Sequence, residues 1–131
     1  MTRTTSGLIV VAGLYNLAFA IFHVFFWRLF RWAQQLPRLS AVNAGILQVL
    51  NLCLIYGLTV AAAICLLFTQ ALGESELGHF LLLALTGFWV ARAFYQPMFF
   101  TLSHPLSAAL FGVFIVGAAI HGAAWWGARG P

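Results

Sequence analysis

The sequence has no lysine and only two acidic residues, Glu74 and Glu76. Charged residues make up 6% of the chain, against about 25% in soluble domains. That excludes an ordinary soluble globule. The positive charges are six arginines, most of them at the ends of apolar runs. They form no basic arm, so the net charge of +4 reports membrane topology and not nucleic-acid binding. No glycine-rich loop is built to cradle a phosphate. No carboxylate lies inside an apolar run, and no Ser/His/Asp set is visible, so the sequence leans away from an enzyme.

Cysteine is equally scarce: Cys53 and Cys65 are the only two. On one helix they stand ~18 Å apart at 1.5 Å per residue, well past the ~7 Å Cα limit for a disulfide. They are not a CxxC pair, so they read as small apolar helix residues and imply no redox compartment.

What is present is hydrophobic sequence, 63% of 131 residues. It falls into four apolar segments at about 7–30, 41–69, 77–100 and 105–126. Each exceeds the ~20 residues needed to cross a bilayer. The expected fold is all-α: an antiparallel four-helix transmembrane bundle, with 1–131 as a single domain and no internal repeat. The first segment is too long for a signal-peptide core and lacks a convincing cleavage site, so it is read as a retained span.

Punctuation supports these bounds. Ser40 and Ser75 are placed to cap the second and third segments, and Glu74 and Glu76 favour the positive end of the third helix. Pro97 interrupts that helix near its end, while Pro105 opens the fourth at its first position. Phe25, Phe26, Trp27, Arg28, Phe30, Arg31 and Trp32 form an aromatic and basic cluster suited to a headgroup interface. Trp125 and Trp126 mark the other interface. Small residues in the fourth segment, such as Ala108/Gly112 and Ala118/Gly122, permit close helix approach in lipid.

Arg92 is the residue the other segments must accommodate. An arginine at a helix centre costs about 2.5–3.5 kcal/mol or more to insert, and normally faces a protein interior. Helical rise puts Arg92, His23, Gln48 and Asn51 in one layer, ~10–15 Å from the arginine-rich side, with Tyr95 and Gln96 in the same layer but shallower. Asn16 and His121, with Thr59 nearby, fall in a deeper second layer at ~21–24 Å. The same residues recur every three or four positions, giving one polar stripe per helix. With no acid in any span, Arg92 must donate to neutral acceptors, water or an outside anion. The neutral acceptors expected are the amides of Gln48 and Asn51, His23, and the carbonyl of Ala93 freed by Pro97.

The histidines invite a haem reading. His23 and His121 differ in depth by ~14 Å, which argues against bis-histidine ligation. His23, His79, His104 and His121 also lack metal-ligand spacing. No cofactor is therefore predicted, with haem or metal at His23 or His121 the minor alternative.

The leading expectation is a non-enzymatic inner-membrane protein of a bacterium. Its cluster of His23, Gln48, Asn51, Arg92, Tyr95 and Gln96 binds or transports a small anionic or lipid-like ligand. The alternative is an accessory subunit of a larger membrane complex or homo-oligomer. The third is a small lipid- or quinone-modifying enzyme using His23 and Tyr95 as acid and base.

Overall fold

The computed structural model describes residues 1–130. Among them there is no strand, and four helices are long and apolar enough to cross a membrane.

Helix α1 spans Arg3–Val24, started by Thr2, whose hydroxyl accepts the Thr5 amide at 3.1 Å. The sequence predicts a span reaching residue 30, but the helix stops at Val24. Two single-turn helices follow, α2 (Phe26–Leu29) and α3 (Trp32–Gln35). Arg31 joins them in the left-handed conformation, φ 51° and ψ 43°. A 3₁₀ turn over Leu36–Arg38 then leads to Ser40. Past the break the chain turns at Arg31, and Trp32 just after it is buried.

Helix α4 covers Ala41–Leu67, with Ser40 accepting the Asn43 amide at 3.3 Å. The second connection is itself a short helix, α5 (Thr69–Glu74). Ser75 caps α6 (Glu76–Phe99) through the Gly78 amide at 2.9 Å. Pro97 sits in the last turn of α6, and Pro105 opens α7 (Pro105–Ala128). Both serine caps and the proline start fall where the sequence places them.

Helix α1 is the hub: it packs on α4 and α7, and α7 packs on α6. Helices α4 and α6 share no extensive seam. Along the α1–α7 seam Thr5 meets Gly127, Asn16 meets His121 and Phe19 meets Phe114. Along α1–α4, Gly13 meets Cys65, and His23 meets Asn51. Along α6–α7, Thr86 meets Gly122 and Gln96 meets Ser107.

The core has two parts. One gathers Ile9, Ala12, Cys65, Leu72, Leu82 and Ala124 around the α5 end. The other gathers Phe19, Ala20, Leu58, Trp89, Ala93 and Phe114 nearer the first connection. Large apolar residues such as Leu50, Tyr56, Phe94 and Trp126 remain exposed on the helix surfaces. At Gly117 an added Cβ would lie 2.6 Å from the Tyr15 hydroxyl. That missing side chain lets Tyr15 cross to α7 and donate to the Val113 carbonyl at 2.7 Å.

Candidate functional site: an aromatic cavity at Arg92

A cavity of about 550 Å³ lies at the end of the bundle beneath the first connection. Its polar lining comes from His23 on α1, Arg92 and Gln96 on α6, Thr101 and His104 in the third connection, and Ser107 on α7. The rest is mostly aromatic, with Phe19, Phe22, Phe26, Phe30, Trp32, Phe100 and Phe114 in the wall. The size suits a small amphipathic molecule.

Arg92 reaches it from the middle of α6. Its Nη1 donates to Gln96 Oε1 at 3.1 Å, one turn on. Its guanidinium lies 3.9 Å from the centroid of the Phe114 ring, a cation–π arrangement that strengthens when water is absent. Gln96 is buried, and its Nε2 donates to Ser107 Oγ at 2.9 Å and, more weakly, to the Ser107 carbonyl at 3.4 Å. The amide orientation follows from arginine being a donor only. One of Arg92's five N–H groups is thus given to Gln96, and its other donors have no partner among the described residues.

His23 faces the same space. Its Nδ1 lies 2.7 Å from the Phe19 carbonyl. A carbonyl only accepts, so Nδ1 carries the proton. The ring stacks on Phe26 at 4.3 Å between centroids.

The remaining predicted members behave differently. Asn51 is buried and donates to the His23 carbonyl at 3.1 Å, which supports α1 near its end. Its Oδ1 is buried without a partner. Gln48 turns back to its own helix, donating to the Ala44 carbonyl at 3.1 Å. Tyr95 is half exposed and lies outside the cavity lining. Arg92 therefore donates to Gln96 and not to Gln48, Asn51 or His23.

In the deeper layer, Asn16 and His121 do meet. Asn16 Nδ2 stands 3.1 Å from His121 Nε2, and Trp89 Nε1 donates to Asn16 Oδ1 at 3.0 Å. His121 Nδ1 donates to the Gly117 carbonyl at 2.7 Å. Thr59 is not part of this network; it is exposed and bonds the Ile55 carbonyl of its own helix. Among the described residues, no three His, Cys, Asp or Glu side chains converge as metal ligands would.

Sequence reasoning overlooked Ser107, Phe114 and Trp32 as site residues. Phe114 carried a usable signal, since it shares the helical stripe of His121. Ser107 and Trp32 carried none, because their roles depend on how two connections fold.

A second, smaller cavity of about 290 Å³ opens between α4 and α6. Gly57, Ala61, Ala84 and Phe88 flank it, and Asn16 stands behind.

Compared with protein-family models, curated proteins and solved structures, the chain matches none.

Proposed function

We propose that this chain is an antiparallel four-span protein of a bacterial inner membrane. In this reading its aromatic cavity binds an amphipathic ligand whose anionic or oxygen-rich head lies on Arg92. One observation carries it: Arg92, on a helix long and apolar enough to cross a membrane, lines a 550 Å³ cavity with a single neutral hydrogen-bond partner and no carboxylate. Such a residue marks a functional site by default. The opposite running of seam partners in each packed pair supports the antiparallel arrangement. Arg28, Arg31 and Arg38 favour a cytoplasmic first connection, against Arg3 and Arg129 on the other side.

The test uses tetradecyl phosphate and myristate as probes, with thermal unfolding in detergent as the readout. Both should stabilise the wild type. Arg92→Gln should bind them about 10- to 100-fold more weakly, as expected for losing a charged hydrogen bond of about 1.5–3 kcal/mol. Equal stabilisation of both proteins refutes the site.

The open space between α4 and α6 favours a second reading, an accessory subunit whose partner contributes a helix there. Small residues at Gly57, Ala61 and Ala84 would admit one closely. Native mass spectrometry after mild extraction separates the two. A small adduct lost in Arg92→Gln supports ligand binding, and co-purifying chains support the subunit.

A further inference from the structure

The polar groups left unspent in the cavity constrain the ligand more narrowly than its charge does. Gln96 is committed at both ends, to Arg92 and to Ser107. Phe114 covers the guanidinium face. On α1 and α6 the wall still offers N–H donors from Arg92 and one ring nitrogen from His23, while Thr101, His104 and the Ser107 hydroxyl line it from the third connection and α7. The Phe19 carbonyl holds the His23 proton on Nδ1 at 2.7 Å. A neutral ring then presents Nε2 as a lone pair, and Nε2 has no hydrogen-bond partner among the described residues. An imidazolium here would add a second cation to a cavity that already holds Arg92 and has no acid. The neutral form is the one the surroundings accommodate.

The site therefore offers donors on one helix and an acceptor on another. Of the Arg92 and His23 pair, a phosphate or carboxylate anion satisfies Arg92 alone and sets its lone pairs against that of Nε2. A head that satisfies both must accept from Arg92 and donate to His23. The walls add a shape requirement. Phe22, Phe26, Phe30 and Trp32 form one connected cluster of rings in the wall, and Phe114 adds another from α7. Aromatic surfaces favour a planar, stacking head group.

We infer that the head group is a hydroxylated aromatic ring of the hydroquinone or phenol kind, giving its O–H to His23 Nε2 and accepting from Arg92. This rests on the amphiphile-binding reading above and names the chemistry of that same cavity.

The test is calorimetric titration of the intact protein in detergent, without oxygen. The probes are decylhydroquinone, its dimethyl ether, decylquinone and myristate. The hydroquinone should bind at least about 10-fold tighter than either the ether or the quinone, since each of those keeps the acceptor oxygens but lacks the O–H donor. His23→Phe preserves a flat ring against Phe26 and should erase that preference. Arg92→Gln should weaken hydroquinone and quinone alike. Equal affinity for hydroquinone and ether on the wild type overturns the inference, as does a preference that survives His23→Phe. The ether comparison needs no variant to fold. If myristate alone binds and depends on Arg92, the head-group assignment falls while the cavity reading stands. If no probe binds, both fall.

Discussion

Replacing Asn16 with leucine is expected to cost the fold about 2–6 kcal/mol. The figure comes from two buried groups left without partners, at about 1–3 kcal/mol each. Asn16 is fully buried, and its two partners allow its amide only one orientation. Trp89 can only donate, so it fixes Asn16 Oδ1 as the acceptor at 3.0 Å. The Gly117 carbonyl can only accept, so it fixes the proton on His121 Nδ1 at 2.7 Å. His121 Nε2 is then the lone pair that receives Asn16 Nδ2 at 3.1 Å. Leucine fills the volume but strands the indole N–H and the imidazole nitrogen. Water cannot replace the amide easily, because Trp89 and His121 are themselves almost completely buried. Equilibrium unfolding in mixed detergent micelles reads the loss. Isolated interhelical bonds in membranes average about 0.6 kcal/mol. A loss of that size would mean the three side chains act separately. A double cycle with His121→Phe should show coupling, because either substitution alone already breaks the chain.

The second large effect is expected at Gly78. A Cβ there would overlap the Leu72 backbone and the Ala71 carbonyl oxygen. Backbone cannot rotate aside as a side chain can, so Gly78→Ala must push α5 off α6. That loosens Leu72 and Leu82, which are both in the core. Overpacking of this kind costs about 1–3 kcal/mol and sometimes more. Gly87→Ala is the control. It lies on the same helix with nothing near its missing Cβ, and alanine there should stabilise by about 0.5–1 kcal/mol. Thermal melts of the two variants should move in opposite directions. A Gly78→Ala protein as stable as Gly87→Ala would show that α5 is not held against α6.

These two sites differ in how visible they were beforehand. Asn16 and His121 could be paired from depth along their helices, because rise per residue converts position into height. The helix starts at Ser40, Ser75 and Pro105 were equally readable, since capping is local chemistry. Gly78 was silent: its role depends on α5, and the sequence predicts that stretch as a plain connection. The cavity was half visible. His23, Arg92 and Gln96 share a layer, and they do line one space. Gln48 and Tyr95 share that height but not that direction, and height alone does not set which way a helix is rotated. Gln48 also had an alternative that periodicity cannot rank, the Ala44 carbonyl one turn back on its own helix. The place of Trp32 in the wall was invisible because Trp32 follows a single left-handed residue, Arg31.

The hub position of α1 has a consequence for how the chain is made. Synthesis runs from the N- to the C-terminus, so α1 emerges before the helices it packs on, and some of those partners come much later. Trp89 follows Asn16 by 73 residues and His121 follows it by 105. At about 5–20 residues per second, that is a wait of roughly 5–20 s. Until α6 is made the asparagine amide has neither partner, and until α7 is made it still lacks His121; before then α1 packs on α4 and α5. The Asn16 network can close only once α7 has been made, so a pause before α7 leaves its polar groups unpaired.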